Sequence, residues 1–398
     1  MNNSLSQSSI ALTEKIPFTR DRITWLAYGM LSFFNLQAAM LSPLLPFLRE
    51  ELDINYTFGG LHLSALAVGQ ILAGLTGERI AQRRGRAFAV RLGAIAAFAG
   101  FAALALGRHI SLTLFGVFIL GFCGSLIMVM VQAILSDQHG EQRAVAIMEA
   151  NIGASLGATL APLCVGIFQR YGLGWRWALF FGLVLMALMV FQYPKQTTAD
   201  HFMLADHSRV PGKKLPPLFW LCWCLVLLVI AAEWALMIWS PDFLEKVVGL
   251  SRVQAATSVS VFFLATVLGR VLGSRLARMM PAINVLWIAF GASLVGFPLF
   301  WLGAHPAINL AGLFIAGIGI SNLFPIVSSI AIGIAPEQSN RASARTSLGI
   351  GVSVLFSPFI LGWTADRVGI QAAYGMVPFI LFFAIALTFI INRFIRRV

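Results

Sequence analysis

Charged side chains are scarce in this chain of 398 residues: they make up 11% of it, against 59% for hydrophobic residues. Soluble domains carry about 25% charged residues, so the composition excludes a soluble protein and indicates one embedded in a membrane. Cysteine is scarce as well. All four copies fall within apolar stretches, where they behave as small hydrophobic residues: Cys123, Cys164, Cys222 and Cys224. We therefore expect neither a disulfide framework nor a metal site.

Several functional motifs are missing too. The chain has no GxxxxGK[ST] loop, which leaves ATP-driven transport unsupported. An intramembrane enzyme is disfavoured, because there is no HExxH motif and no pair of intramembrane aspartates, and the six histidines are scattered. The first 20 residues are polar and rich in serine, so we expect no cleavable signal peptide. We also expect no cofactor.

Apolar runs of the length that a bilayer requires follow one another along the chain. About 20 helical residues cross the roughly 30 Å hydrocarbon core of a membrane. We count twelve such runs, at 23–48, 57–78, 87–107, 112–135, 144–168, 176–193, 217–240, 254–278, 283–303, 308–333, 343–363 and 372–392. The chain is therefore predicted to be an all-α protein with twelve transmembrane helices.

The positions of lysine and arginine predict the orientation. The formal net charge of +12 comes mainly from short segments between the apolar runs, which is typical of a membrane topology signal and not of a nucleic-acid-binding surface. With twelve runs, the strongly basic segments all lie on one side, predicted to be cytoplasmic: Lys15, Arg20, Arg22, Arg79, Arg83, Arg84, Arg86, Arg91, Arg209, Lys213, Lys214, Arg393, Arg396 and Arg397. We expect a bacterial inner-membrane protein with both termini in the cytoplasm.

The chain repeats itself. Sliding the sequence by 196 residues places Gly77–Gly166 on Gly273–Gly362 without a gap, and many residues then coincide, among them Gly121 with Gly317. Two parallel copies of one unit in a membrane protein usually place a substrate site between them. We predict a first bundle over 1–193, a cytoplasmic linker over 194–216 and a second bundle over 217–398, related by pseudo-symmetry.

The twelve runs differ in polarity. Runs three, six, nine and twelve contain almost nothing but apolar residues, which is typical of helices that face lipid. Polar side chains are concentrated in the other runs. Every third helix is therefore predicted to be an outer helix, with the rest surrounding a polar path.

Twelve runs in two repeats, with cytoplasmic termini and a basic loop after the second run, resemble the major facilitator superfamily over essentially the whole chain. The loop that carries this resemblance is a Gly, three residues, an acid, a base and an Arg-rich turn: Gly74, Gly77, Glu78, Arg79, Arg83, Arg84, Gly85 and Arg86. Glu78 replaces the usual aspartate, and the turn glycine comes late. The resemblance implies that spans one, four, seven and ten line a cavity. Spans two, five, eight and eleven then form the seam between two rocking halves, in a protein that acts as a monomer.

Two acidic residues lie well inside the predicted spans, Glu149 and Glu233. An intramembrane ionisable group is a functional candidate by default because its burial is costly. Glu233 lies eight residues before Pro241, as Asn35 lies eight before Pro43, so the two are predicted at equivalent depths facing the cavity, with Glu233 as a proton carrier. Further candidates for substrate or proton binding are Gln37, Gln132, Asn151, Asn322, Trp234, Met237 and Phe324.

The repeat also places opposite charges at equivalent positions, since Glu149 and Arg345 each lie thirteen residues before a proline. By the same repeat, Arg270 occupies the position that corresponds to the uncharged Gly74. The seam implied by the family resemblance brings span five to span eight and span eleven to span two. We therefore predict two gate contacts on the cytoplasmic side, Glu149–Arg270 and Arg345–Glu78, closed when the protein faces outward. The alternative is that both arginines extend to the aqueous interface.

These features favour a secondary transporter that moves a small organic solute, with protons as the coupling ion and the lipid bilayer as its surroundings. A polyspecific proton-driven exporter of drugs or amphiphiles and an uncoupled facilitator remain open alternatives, as does a receptor in a carrier fold. The sequence does not separate import from export.

Overall fold

The computed structural model describes residues 19–139, 143–192, 215–335 and 338–395. Its regular elements are all α-helices within these ranges. They are α1 (Arg22–Glu51), α2 (Tyr56–Arg84), α3 (Arg86–Leu106), α4 (Ile110–His139), α5 (Arg143–Arg170), α6 (Trp175–Gln192), α7 (Pro217–Lys246), α8 (Arg252–Met279), α9 (Ala282–Leu302), α10 (Pro306–Gly333), α11 (Ser339–Val368), α12 (Ile370–Ala373) and α13 (Met376–Ile395).

The twelve predicted spans are all present as helices. Eleven helical segments in the described ranges are long and apolar enough to cross a bilayer, the short α12 being counted with α13. The remaining one, α6, has 18 residues and is therefore about 27 Å long. Several helices overrun the predicted bounds: α7 continues past 240 to Lys246, and α1 continues to Glu51. The predicted linker lies outside the described residues except for Leu215 and Pro216.

Local sequence explains several helix ends. Asp21 caps α1 by accepting a hydrogen bond from the Thr24 amide at 2.9 Å, as expected for an N-cap carboxylate. Ser251 and Gln254 form a reciprocal capping box at the start of α8. Gly85, with a φ of +82°, is the single residue that separates α2 from α3. A side chain is strained at that φ, so the turn requires glycine.

The helices pack as two six-span bundles of the same design. In the first bundle, α4 packs against α2 and α3, and α1 packs against α5. In the second, α10 packs against α8 and α9, and α7 packs against α11. Extensive contact between the bundles is made by α2 with α11 and by α5 with α8, and smaller contacts join α1 to α7 and α8. The predicted pair of pseudo-symmetric bundles is confirmed.

The helices predicted to be outer ones, α3, α6, α9 and α13, make their main helix contacts within their own bundles. They expose large apolar side chains along their length, such as Ile95, Phe181, Val295 and Phe379. This arrangement suits contact with lipid tails, which satisfy apolar side chains without any protein partner.

Candidate transport pathway and its two ends

Because consecutive spans run antiparallel, the start of α1 and the end of α13 lie at the same end of the molecule. We call this the terminal end, and the other the opposite end. The opposite end carries the end of α1, the start of α2, the end of α7 and the start of α8. The family resemblance implies a pathway between the bundles that opens at one of these ends at a time.

Two equivalent hydrogen bonds join the bundles along the seam. Ser64 on α2 donates to the carbonyl of Leu355 on α11 at 2.6 Å, and Ser260 on α8 donates to the carbonyl of Thr159 on α5 at 3.0 Å. Ser260 follows Ser64 by 196 residues, and Leu355 follows Thr159 by the same number. The repeat found in the sequence therefore reappears as a two-fold relation at the interface.

A seal closes the path next to the opposite end. Ser42 on α1 donates to the carbonyl of Met237 on α7 at 2.6 Å. Beyond it, the fully buried Trp239 meets the ring of Tyr56 edge-on, with 5.6 Å between ring centroids. The Trp239 indole also donates to the carbonyl of Pro358 at 3.3 Å. This seal joins α1 and α2 of the first bundle to α7 and α11 of the second.

Charged residues cover the seal on its outer side. Arg49 forms an ion pair with Asp242 across the bundles and lies 3.5 Å from the centroid of the Tyr56 ring. Arg252 forms an ion pair with Glu50 of the other bundle and binds both carboxylate oxygens of Glu245 at 2.8–3.1 Å. We call these residues the opposite-end cluster: Arg49, Glu50, Tyr56, Asp242, Glu245 and Arg252.

One further carboxylate crosses the seam at this end. Asp366, on the last turn of α11, accepts hydrogen bonds from the backbone amides of Tyr56 and Thr57 at 2.8 and 2.7 Å, and from the Thr57 hydroxyl. The first helical amides have no partner within their own helix. The second bundle therefore supplies the cap for the first two amides of α2, while Asn55 of the first bundle accepts from the Phe58 amide at 3.0 Å.

At the terminal end, Glu149 contacts its own bundle. Arg20 donates to its two carboxylate oxygens at 2.6 and 2.8 Å, and the Tyr28 hydroxyl donates at 3.1 Å. These bonds to Glu149 raise the pKa of Arg20 above its ordinary value. An open cavity of about 640 Å³ lies beside this group and extends along α5 as far as Leu156. The predicted Glu149–Arg270 contact is not formed in this conformation, because Arg20 holds the carboxylate.

Arg270 instead lies near Glu233, with 3.8 Å between a guanidinium nitrogen and a carboxylate oxygen. The Glu233 side chain is 15% exposed and that of Arg270 is 51% exposed. Their distance exceeds that of a hydrogen bond, so they form a loose ion pair within the second bundle. Glu233 lies one helical turn from Met237, on the terminal side of the seal.

Three polar candidates contact residues of their own bundle. Gln37 is buried, 4% exposed, and lines a small cavity inside the first bundle. Both N–H groups of the Asn322 amide donate to backbone, to Gly269 at 2.8 Å and to Ile318 at 2.9 Å, so none is left to donate to a substrate. Asn35 donates to the Leu31 carbonyl of its own helix. In this conformation Gln37 and Asn322 thus contact their own bundles, and a role for these amides in substrate binding remains a prediction.

The other predicted residues are placed as follows. Asn151 is exposed and donates to the Ile147 carbonyl at 2.8 Å. Trp234, Met237 and Phe324 are half-buried against the core. Arg345 is exposed, and its backbone carbonyl accepts from the Trp223 indole at 2.8 Å. The side chains of Gln132, Glu78 and Arg86 lie outside the described part of the chain, so the predicted Arg345–Glu78 contact remains a prediction.

Sequence reasoning missed the opposite-end cluster. Asp242 lies two residues beyond the predicted end of span seven and Arg49 lies one residue beyond span one, so both fall outside the predicted spans. A signal was available: the repeat aligns Ser42-Pro43 with Ser240-Pro241, and a helix that continues through the first proline indicates that it continues through the second.

Comparison with known proteins agrees with this architecture. The family model described as Major Facilitator Superfamily matches residues 27–338. The chain belongs to this superfamily. An MFS-type transporter of Yersinia pestis is 26% identical over 368 residues, covering 88% of this chain and 91% of the relative. The MFS-type transporter YhhS of Escherichia coli is 27% identical over 132 residues, covering 32% of this chain and 33% of the relative.

Solved structures of the superfamily share the fold. A bacterial homologue of the human lysosomal transporter Spinster, in an inward-facing and unoccupied conformation, superposes with a TM-score of 0.75 at 16% identity, covering 93% of this chain and 96% of that one. The nucleoside transporter NupG gives 0.76 at 14% identity, covering 94% and 99%. A D-xylose-proton symporter gives 0.71 at 14% identity, covering 92% and 96%. The family resemblance read from the sequence is confirmed, and secondary transport is its function class.

Proposed function

We propose that this superfamily member carries a small organic solute across the bacterial cytoplasmic membrane by alternating access, coupled to protons through Glu233. The solute would bind between the bundles, and the segment 194–216 would tether them. The termini would lie in the cytoplasm, as the basic segments predict. The xylose-proton symporter with the same fold supports the general plan.

The observation that carries this proposal is the position of Glu233. Its carboxylate lies within a membrane-spanning helix, one turn from the seal and on the side away from the opposite-end cluster. The ion pair with Arg270 is loose, so the carboxylate can release the Arg270 guanidinium and bind a proton in its place. An acid at this depth can bind a proton from one side, and rocking of the bundles can then expose it to the other side.

The contacts at the two ends support an inward-open arrangement. Seam contacts near the opposite end join the bundles, while Glu149 and the Arg345 carbonyl at the terminal end bond within their bundles. When the terminal end closes, Glu149 would leave Arg20 and bind Arg270, and Arg270 would leave Glu233. Ion pairs are worth little when exposed and more when occluded, so this exchange suits a gate.

Proton flux in reconstituted vesicles tests the proposal. Purified protein would be placed in vesicles that contain a pH-sensitive dye and challenged with a panel of sugars, organic acids and cationic amphiphiles. We expect one chemical class to drive proton movement, and we expect Glu233→Gln to abolish that flux while radiolabelled solute still binds. Glu149→Gln is the companion variant: it should slow transport without uncoupling it.

Three outcomes would contradict the assignment. Solute movement that continues unchanged when the proton gradient is collapsed, in the wild type and both variants, indicates a facilitator. Proton flux that is lost in Glu149→Gln but retained in Glu233→Gln transfers the proton-carrying role to the terminal-end group. A cationic amphiphile as the one active class would identify the polyspecific exporter instead.

A further inference from the structure

Asp242 is a buried carboxylate in which one of the two oxygens has no hydrogen-bond partner among the described residues. It follows Pro241 on α7, and its side chain is 1% exposed. One oxygen, Oδ1, accepts from Arg49, whereas Oδ2 has no hydrogen-bond partner in the described structure, and neither does Nε of Arg49. An unsatisfied buried acceptor is costly, so a polar group of this kind in a native structure requires an explanation.

The charged and titratable groups around Asp242 come from every element packed against this end. They are Arg49 and Glu50 on α1, Tyr56 on α2, Glu245 and Lys246 on α7, Arg252 on α8, Asp366 on α11 and Tyr374 after α12. Arg252 is held by Glu50 and Glu245, and the Tyr374 hydroxyl donates to the carbonyl of Ala235 at 3.0 Å. The counter-charge that contacts Asp242 directly is Arg49.

We propose that Asp242 is a second proton-binding site of this transporter and that its protonation unlocks the opposite end. One proton from the solution on that side adds to the unpartnered Oδ2, so an O–H bond forms and the carboxylate becomes a neutral carboxylic acid. The Arg49–Asp242 pair then changes from zero net charge to one positive charge. No other bond is made or broken.

The unlocking follows from the cost of a buried cation. Once Asp242 is neutral, the remaining partner of Arg49 is the face of the Tyr56 ring. This cation–π contact stabilises a desolvated guanidinium much less than an ion pair does. The Arg49 side chain is already 12% exposed, so it can move into water and end this cost. Its departure removes the α1–α7 contact above the Ser42–Met237 seal and leaves the Tyr56–Trp239 contact uncovered.

This site is distinct from Glu233. The two residues lie nine positions apart on α7, which corresponds to about 13 Å along the helix axis. Glu233 lies on the terminal side of the seal and Asp242 on the opposite side. One helix therefore presents a proton acceptor to each aqueous phase. The inference rests on the proposed function only in taking the opening of this end as a step of the transport cycle.

A distance measurement tests it without any substrate. Spin labels would be attached at Tyr171→Cys and Ala304→Cys, two exposed positions in opposite-end loops of different bundles, after replacement of the four native cysteines. Pulsed electron paramagnetic resonance in lipid nanodiscs would report the distance between the labels from pH 8 to pH 5. We expect a long-distance population to grow as the pH falls, because the protonated state is the unlocked one.

Variants decide whether Asp242 is responsible. Asp242→Asn should raise the long-distance population at pH 8 at least about tenfold and abolish its pH dependence, while Asp242→Glu should retain a pH response. Glu51→Gln is the matched control: its ion pair with Arg176 lies at the same end but within the first bundle, so the distances should follow the wild type.

A pH response that survives in Asp242→Asn overturns the inference, as does a wild-type distance that is constant with pH. If Asp242→Asn does not fold, Arg49→Gln replaces it: without the cation the ion pair cannot form, so the long-distance population should already be large at pH 8, and a pH response like that of the wild type refutes the assignment. Failure of the Glu233 flux experiment leaves these distances unaffected, so the two proposals fail separately.

Discussion

At the opposite end, charged side chains of the two bundles contact one another, whereas the two ion pairs described toward the terminal end each lie within one bundle. Arg49 crosses from the first bundle to Asp242 in the second. Glu149 and Arg20, by contrast, belong to one bundle, and so do Glu233 and Arg270. The ends thus differ in which partners the charged side chains have.

This difference allows the bundles to move against each other without disruption of the core of either one. Each bundle keeps its apolar interior, and only a few polar contacts at one end need to be exchanged for contacts at the other. Ion pairs suit this role because the free energy that they contribute depends strongly on whether water reaches them. Apolar packing inside a bundle cannot be exchanged in this way, since it needs matched shapes over its whole area.

The largest expected effect comes from disrupting the packing inside one bundle. If the bundles move as rigid bodies, this packing has to stay intact. Gly121 on α4 lies directly against the backbone of Leu66 on α2. Gly121→Leu should lower the free energy of unfolding by on the order of 3 kcal/mol, measured by thermal unfolding in detergent. Gly291→Leu is the control, because Gly291 on α9 has open space around it. Equal stability of both variants would contradict a rigid interior.

Much of this plan could be predicted from the sequence. Apolar run lengths located the helices, because a bilayer fixes the length of each span, and the family resemblance implied the seam on which Ser64 and Ser260 lie. The opposite-end cluster could not be predicted, because it depends on where α1 and α7 end relative to each other. Nor could Gln37, since an amide on an apolar helix can face either a cavity or its own bundle, and the sequence does not say which.

The second prediction concerns the terminal end in its closed state, and the register of the seam supplies it. Because α5 and α8 run antiparallel and Thr159 meets Ser260, ten residues toward the terminal end on each helix place Glu149 level with Arg270. Glu149→Cys with Arg270→Cys should therefore form a disulfide crosslink when the terminal end closes and not in the present arrangement. Gel mobility after mild oxidation, with and without solute, measures this.

Thr159→Cys with Ser260→Cys is the matched pair, since these positions already meet and should crosslink in the resting protein. The equivalent register on the other side of the two-fold places Gly74 level with Arg345, ten residues from Ser64 and Leu355 respectively. If the 149–270 pair never crosslinks in any condition while the 159–260 pair does, Glu149 and Arg270 are not a gate.

The smallest expected effect concerns two helix caps. Asp366 of the second bundle caps α2 of the first, whereas Ser251 caps its own helix, α8. Asp366→Asn should weaken the hydrogen bonds to the amides of Tyr56 and Thr57 by about 1 kcal/mol. Hydrogen exchange at the start of α2 should then be roughly five times faster. Ser251→Ala, which removes the cap that α8 supplies for itself, should instead speed exchange at the start of α8 alone. Unchanged exchange at Thr57 in Asp366→Asn would mean that α2 keeps its first turn without the second bundle, and that this carboxylate does not hold the opposite end closed.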